Sequence, residues 1–330
     1  MKKKIDFVKA HAGWDEAIFL YGDQVPEGKE LEIGLSLLKR PSLRGTELGV
    51  LYEPQEGGDI KVKMLDATSN AFISMCGGLT QSLGKAVVET DIGKRFNIKT
   101  QGSRTEFVLE TEAGFIPVRV DVSNGTAQKV TTNMRSYVRY CYGYGVRDVK
   151  IRNINAVGVG LNPPRMELLV VNVDEIKKEY PEANVWAKNT STLNILKRLY
   201  EDFIEDENLG GPSLYSVLYD MHPEGKGKAR YVYRPFPTMY EEIGEDIEMA
   251  CGTGVTAVGI AMLENGDVNV NDGAAEILFE VGSKSIVSKP QQVETELRMR
   301  INNGKVVDAE FSHSLIEIIA CGKAYISTRI

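Results

Sequence analysis

Two segments of this chain repeat one pattern, in which a cysteine and a glycine open a run of small and apolar residues. The segments Cys76–Glu89 and Cys251–Glu264 align without a gap. Each carries an internal glycine, Gly84 or Gly259, although a glycine inside a helix costs about 1 kcal/mol relative to alanine. A helix that keeps such a glycine is expected to pack closely against its neighbours. The repeat therefore predicts an internal duplication with one buried central helix in each half. The identical pairs are Cys76/Cys251, Gly77/Gly252, Gly84/Gly259, Ala86/Ala261 and Glu89/Glu264.

Strand patterns surround both predicted helices and favour an α+β fold. The segment Phe115–Val122 alternates between apolar and polar residues, which is typical of a half-buried strand. It lies between two predicted hairpin turns, Glu112–Gly114 and Ser123–Gly125. The pattern breaks around Arg135–Gly145, so we expect one domain over residues 1–145 and a second over 146–314. A further helix is predicted over Ser191–Asp206 because apolar residues recur on one side.

The composition excludes some classes of function. A chain of 330 residues is long enough for two domains, and its net charge of -7 argues against nucleic acid as a partner. No stretch approaches the roughly 20 apolar residues that a membrane span needs. The lysines at the start are not followed by the apolar run of a signal peptide. We therefore expect a cytoplasmic protein with neither a nucleic-acid nor a membrane partner. A homodimer is compatible with the sequence.

Cys76 and Cys251 are the candidate reactive groups. A free thiol has a pKa of about 8.5, and a helix N-terminus can lower it to roughly 3.5–7.5 because the first N–H groups there carry about half a positive charge. The same N–H groups can hold a substrate carboxylate. If two such helix starts face each other, one thiolate removes a proton and the opposite thiol returns one to the other face. A stereocentre then inverts without a cofactor.

Cysteines in such segments can also have other roles. A buried cysteine often serves only as a small apolar side chain. The four cysteines are sparse and show no CxxC spacing, which argues against a disulfide framework. With three histidines and no clustered ligands, no metal is expected. Cys141, in a tyrosine-rich segment interpreted as a turn, and Cys321, in a strand pattern, are expected to be structural.

The two cysteine motifs resemble those of the diaminopimelate epimerase and proline racemase superfamily. Its members carry a first M-C-G segment and a second A-C-G-T-G or P-C-G-T-G segment, and here these are Met75–Gly78 and Ala250–Gly254. Softer resemblances to its other segments cover most of the chain. They are Phe7–Gly13, Glu110–Gly114, Gly160–Pro163 and Tyr180–Asn184.

The resemblance implies two similar domains, each with strands wrapped around a central helix, and a site in the cleft between them. It implies that a last strand, about residues 315–330, returns to the first domain. It also implies that Cys76 and Cys251 are the acid/base pair. The backbone N–H groups expected to bind a carboxylate are those of Gly77, Gly78, Gly252, Thr253 and Gly254.

Four further residues are candidate substrate contacts. Asn162 and Asn184 match family segments, but asparagine beside proline or glycine is equally typical of turns. Glu248 precedes the second cysteine at a distance similar to that of the acidic residue in proline racemases. A carboxylate is also favourable near any helix N-terminus. For His11, a structural or surface role is the stronger alternative.

The departures from the family pattern bear on the substrate. Trp14-Asp15 stands where diaminopimelate epimerases have asparagine and aspartate, and Pro164 replaces the histidine after their G-N-P. Gly78 stands where the family has asparagine or histidine. The sequence therefore indicates a divergent member, and diaminopimelate is not the predicted substrate.

Three functions remain open on the sequence. The first is a racemase or epimerase that inverts a carbon next to a carboxylate, most simply in an amino acid. The second is an isomerase that shifts a double bond in an unsaturated di- or tricarboxylate on the same fold. The third is a small-ligand-binding homologue without turnover, for which two cysteines would have no chemical purpose.

Overall fold

The computed structural model describes residues 2–13, 15–39, 42–67, 69–100, 102–160, 167–183, 194, 214–221, 228–234, 251–281 and 293–327. The chain divides into two compact units, Met1–Ser136 with Ser312–Ile330, and Tyr137–Phe311. The sequence placed the boundary nine residues later, at 145. Among the described residues, no helix is both long and apolar enough to span a membrane.

Seventeen strands and six α-helices are described. The strands are β1 (Lys2–Ala12), β2 (Asp15–Tyr21), β3 (Glu47–Tyr52), β4 (Ile60–Asp66), β5 (Ala71–Ile73), β6 (Arg104–Thr111), β7 (Gly114–Ser123), β8 (Thr126–Asn133), β9 (Val146–Ile151), β10 (Ile154–Val159), β11 (Glu167–Asn172), β12 (Leu214–Met221), β13 (Lys228–Arg234), β14 (Gly273–Val281), β15 (Val293–Asn302), β16 (Lys305–His313) and β17 (Ile316–Ser327). The helices are α1 (Glu30–Leu38), α2 (Gly77–Glu89), α3 (Asp91–Arg95), α4 (Arg135–Tyr144), α5 (Val173–Glu179) and α6 (Gly252–Glu264), with a 3-10 turn at Gly22–Gln24.

The two units repeat one order of strand pairing. In the first unit, the strands lie in the order β17-β1-β2-β3-β4-β6-β7. From left to right, the six neighbouring pairs are antiparallel, antiparallel, parallel, antiparallel, parallel and antiparallel. In the second unit, β9-β10-β11-β12-β13-β14-β15 follows the same succession. Parallel neighbours need a crossover connection, and α2 and α6 lie at the equivalent crossovers β4 to β6 and β13 to β14. The internal duplication predicted from the two cysteine segments is thus confirmed by topology.

The central helices are buried on nearly every side. Ten of the 13 residues of α2 and eleven of the 13 of α6 are buried. The strands β1, β2, β7, β8 and β17 contact α2, and β10, β11, β12 and β15 contact α6. A helix surrounded in this way packs most of its surface against strands, which small and apolar residues favour. The predicted spans of both helices are confirmed, since α6 covers Gly252–Glu264 and α2 ends at Glu89.

The tyrosine-rich segment is a helix, so its interpretation as a turn was wrong. Cys141 lies fully buried in α4, together with Tyr137 and Val138. Tyrosines three and four residues apart meet on one side of the helix, with ring centroids 6.1 Å apart for Tyr137–Tyr140 and 4.6 Å for Tyr140–Tyr144. Such neighbouring pairs stabilise a helix that propensity alone does not indicate. Because α4 packs within the second unit from Tyr137, the first unit ends earlier than predicted.

The helix predicted over Ser191–Asp206 lies outside the described residues, apart from position 194.

The final strand β17 pairs along β1 from Lys2↔Ser327 to Ala12↔Ile316, so the end of the chain joins the first unit. Cys321 lies exposed on this strand.

The side chain of Glu110 on β6 forms hydrogen bonds with the loop between β3 and β4. Its buried carboxylate accepts hydrogen bonds from the backbone N–H groups of Gln55 at 2.7 Å, Glu56 at 2.6 Å and Gly58 at 2.8 Å. Burial opposes ionisation of Glu110, but these three donors outweigh it and hold the pKa of the carboxyl below its usual range. Glu110 therefore stabilises the folded state when ionised.

The resulting pH dependence can be measured. The stabilisation from Glu110 is present above the unfolded pKa of about 4.3 and is lost as the pH falls through the lower native pKa. We expect the free energy of unfolding to decrease on acidification more steeply in the wild type than in Glu110→Gln, as followed by urea titrations at several pH values. Parallel pH profiles for the two proteins would show that Glu110 does not contribute in this way.

Candidate active site

Each cysteine of the repeat caps its central helix. Cys76 and Cys251 are the N-cap residues of α2 and α6, with φ, ψ of -133°, 126° and -132°, 116°. The Cys76 sulphur accepts the N–H of Leu79 at 3.3 Å, and the Cys251 sulphur accepts the N–H of Gly254 at 3.4 Å. Both side chains are buried. The two units thus hold a thiol in the same geometry, against the positive end of a helix where a thiolate is favoured.

The surroundings of Cys76 include a buried carboxyl group. Sγ of Cys76 lies 3.8 Å from Oδ2 of Asp15, which is 1% exposed at the start of β2. A Cβ on Gly78 would overlap Oδ2 of Asp15 and lie only 3.2 Å from its Cβ. The glycine in the first turn of α2 is therefore what lets the Asp15 carboxyl approach the thiol. The backbone N–H of Cys76 is directed at the sulphur of Met64, at 3.1 Å.

A second carboxyl group joins this network. The hydroxyl oxygen of Thr46 lies within hydrogen-bond distance of three oxygen atoms. These are Oδ1 of Asp15, Oε2 of Glu47 at 2.7 Å and the carbonyl oxygen of Glu16 at 2.9 Å. Glu47 is buried on β3. Burial raises the pKa of Asp15 and the nearby Asp66 raises it further, while hydrogen bonds to Glu47, Thr46 and Cys76 partly offset this. Burial is therefore the strongest influence on the Asp15 carboxyl group, and it disfavours the ionised form.

Cys251 has different neighbours. Its sulphur lies 3.0 Å from the hydroxyl of Thr253, which is 1% exposed. Tyr137 of α4 shares this environment. Its pKa is raised well above the usual value, first by burial and then by the thiols of Cys141 and Cys251. Among the described residues, the Thr253 hydroxyl and the Gly254 N–H can donate a hydrogen bond to the Cys251 sulphur.

The predicted carboxylate-binding N–H groups lie on the first turns of the two helices. The glycine and threonine residues concerned are all buried, and the N–H of Gly254 is already directed at Cys251. In any α-helix the first N–H groups have no partner within the helix. Those of Gly77 and Gly78, and of Gly252 and Thr253, precede the N–H that sulphur accepts. They remain the predicted anion contacts.

Of the remaining predicted residues, the structure describes His11. His11 is buried on β1, with Nε2 3.2 Å from Oε2 of Glu317 on β17, so its contact is with a neighbouring strand. Asn162, Asn184 and Glu248 lie outside the described residues.

The sequence did not indicate the carboxyl pair beside Cys76. In the sequence, Asp15 stands out only as part of a departure from the family pattern, and Glu47 lies in no motif. The metal-ligating atoms of Asp15, Glu47 and Cys76 all lie within 4.8 Å of one another, a cluster of possible ligands that the sequence does not show. Of these three residues, Asp15 and Glu47 also contact the hydroxyl of Thr46.

Comparisons with known proteins identify the fold. No protein-family model and no curated protein sequence matches the chain. Among solved structures, it is similar to a probable proline racemase from Agrobacterium radiobacter K84 with bound carbonate, with a TM-score of 0.64, 15% identity and coverage of 98% of this chain and 93% of that one. It is also similar to a hydroxyproline epimerase from Agrobacterium vitis with bound trans-4-hydroxy-L-proline, with a TM-score of 0.64, 14% identity and coverage of 99% and 93%.

A third similar structure is a methylitaconate-delta-isomerase, with a TM-score of 0.59, 13% identity and coverage of 98% of this chain and 96% of that one. All three similarities extend over nearly the whole of both chains. At identities this low, a structural match establishes the fold of the chain but does not identify its substrate. The chain has the α+β fold of proline racemase-like proteins, as its two cysteine motifs predicted.

Proposed function

We propose that this chain is a cofactor-independent isomerase that moves a proton at a carbon next to a carboxylate. The observation that carries the proposal is the repeated cap, in which a buried cysteine at the start of a buried helix accepts a backbone N–H. This cap supplies a thiol whose anion is stabilised, beside N–H groups suited to a carboxylate. A single catalytic thiol would not require the same device in both units.

In the proposed reaction, one of Cys76 and Cys251 is a thiolate that removes the proton, and the other is a thiol that delivers one to the opposite face. The negative charge that develops on the substrate carboxylate is stabilised by the helix N–H groups. The product is the inverted stereoisomer, and an amino acid is the simplest substrate. The cytoplasm, where thiols stay reduced, suits this chemistry.

A double-bond isomerase is the second candidate. The similarity to a methylitaconate-delta-isomerase favours it, because that protein shares the fold over nearly its whole length. Moving a double bond in an unsaturated acid also removes one proton and returns another, and it can do so on a single face. The two candidates use the same cysteine chemistry and differ in the substrate.

Proton exchange with solvent distinguishes these candidates. The protein is incubated in D₂O with a panel of amino acids, including proline and hydroxyproline isomers, and of unsaturated di- and tricarboxylates. We expect deuterium at the carbon beside the carboxylate, accompanied by inversion. Label with a shifted double bond would favour the second candidate. Tight binding of a panel member, with neither label nor isomerisation, would contradict both and indicate a binding protein.

A further inference from the structure

We propose that Met64 is a positioning residue for Cys76. Its thioether sulphur accepts the backbone N–H of Cys76, at 3.1 Å, and thereby fixes the peptide from which the thiol projects. The consequence for catalysis rests on the proposed function, in which Cys76 transfers a proton. The direction of the thiol is a property of the unliganded protein, so it is tested without a substrate.

The N–H of Cys76 lies at the point where a strand gives way to a helix. Met64 on β4 pairs with Ile73, the last residue of β5, so this ladder ends three residues before Cys76. The helix α2 begins only at Gly77, and the N–H of an N-cap residue has no acceptor within its own helix. A buried N–H that lacks an acceptor costs free energy. An acceptor from a neighbouring strand therefore stabilises this turn of the chain.

The chemistry of a thioether suits this position. Met64 is 2% exposed, and its sulphur can accept a hydrogen bond but has no hydrogen to donate. It therefore does not compete with the N–H of Leu79, which is directed at the Cys76 sulphur at 3.3 Å. A hydroxyl or amide group in place of the thioether would bring a second donor close to the thiol. Methionine binds the backbone of Cys76 and leaves its side chain to the helix N-terminus.

The carbonyl group of Cys76 is also held, but in a more ordinary way. It accepts the N–H of Thr80 at 3.2 Å and the hydroxyl of Thr80 at 2.7 Å. Hydroxyl groups often bond to a carbonyl one turn earlier in a helix, as Thr256 does with Gly252 at 2.8 Å in α6. The Met64 contact differs because it comes from a strand outside the helix. It connects the cap of α2 to the sheet formed by β3, β4 and β5.

The direction of the thiol matters because proton transfer depends steeply on geometry. A displacement of about 1 Å can lower the rate of an enzymatic reaction by about 10²-fold. Cys76 has φ, ψ of -133°, 126°, and a rotation of its peptide moves Sγ away from the N–H of Leu79. Replacement of the Met64 sulphur removes the acceptor that opposes this rotation. We therefore expect such a variant to populate more than one Cys76 rotamer.

The test compares Met64→Leu with Met299→Leu in the unliganded protein. Leucine has a volume similar to that of methionine but no acceptor atom, so the packing should be retained. Met299 is the matched control, because it is also 2% exposed on a strand and packs against the middle of α6 at Gly259. NMR measures the exchange rates of the cysteine amides and the Hα–Hβ couplings that report their rotamers. Cys251 is the reference within each molecule.

In Met64→Leu, we expect the Cys76 amide to exchange about tenfold faster and its couplings to become an average over rotamers. Cys251 should be unchanged, and Met299→Leu should leave Cys76 as in the wild type. Met64→Gln restores an acceptor at similar reach and should restore slow exchange. Met64→Ile lacks an acceptor, suits a strand and replaces Met64→Leu if that variant does not fold. Wild-type exchange and couplings of Cys76 in a folded Leu or Ile variant would overturn the inference.

The same variants are then assayed with the substrate that the D₂O panel identifies. Met64→Leu should lower kcat by about tenfold or more and change KM little, because substrate binding is retained while the reacting thiol is displaced. Met299→Leu should keep the wild-type kcat. A wild-type kcat in Met64→Leu would overturn the positioning role. If no panel member reacts, the proposed function fails, and the NMR comparison still decides whether Met64 positions Cys76.

Discussion

Serine in place of either Cys76 or Cys251 is expected to reduce stereoinversion by about 10²–10⁴-fold, the range typical of one general acid or base. A serine hydroxyl is far weaker as an acid and is not ionised near neutral pH, so it can neither remove nor deliver the proton. Serine is also among the preferred helix N-caps, so the fold should be retained. The measurement is the rate of inversion of the substrate found in the D₂O panel.

Cys321→Ser is the matched control for these variants. Cys321 is exposed on β17, and its replacement is expected to leave the rate unchanged. Thermal unfolding of all three variants separates loss of chemistry from loss of structure. A Cys76→Ser or Cys251→Ser protein that folds and keeps the full rate would contradict the two-cysteine mechanism.

Alanine at the internal glycine of either central helix is expected to destabilise its unit. A Cβ at Gly84 would overlap Cγ1 of Val130 and lie 3.2 Å from Cγ1 of Val118. At Gly259 it would lie 2.5 Å from Cδ2 of Leu297 and 2.7 Å from Sδ of Met299. Overpacking typically costs about 1–3 kcal/mol, against a gain in helix propensity of about 1 kcal/mol. The net loss should reach about 2 kcal/mol.

The loss should be larger at Gly84 than at Gly259. Val130 is β-branched and stiff, whereas Met299 is flexible and can move aside. Gly143→Ala in α4 is the control, because no atom of the described residues lies within 4 Å of its added Cβ, and there we expect a gain of about 0.5–1 kcal/mol. Urea midpoints measure all three. Stabilisation by Gly84→Ala would show that α2 is not packed as tightly as the structure indicates.

The parts of the fold that follow from local pattern were predictable. Both central helices were located from their cysteine, their glycines and their apolar content, and the structure confirms where they end. The repeat also implied the duplication, which the strand pairing confirms. By contrast, α4 was missed because its stability comes from neighbouring tyrosine rings and a buried Cys141 rather than from residues with high helix propensity.

The carboxyl pair beside Cys76 could not be found from local pattern. Asp15, Glu47 and Cys76 are far apart in the chain and meet through the parallel pairing of β2 with β3, where Ala17 faces Glu47, and through the packing of α2. Register between non-adjacent segments is not encoded in any short window of sequence. The local signal of this pair is Gly78, because a glycine next to the cysteine motif leaves space where the family has a side chain.

The position of solvent deuterium after the first turnovers tests the central claim most directly. One stereoisomer of the substrate is incubated in D₂O, and the remaining substrate and the first product are separated and analysed by mass spectrometry. If one cysteine removes the proton and the other delivers a different one, the product carries one deuterium and the remaining substrate carries none. Deuterium appearing equally in the remaining substrate and the product would indicate a single base and contradict the account.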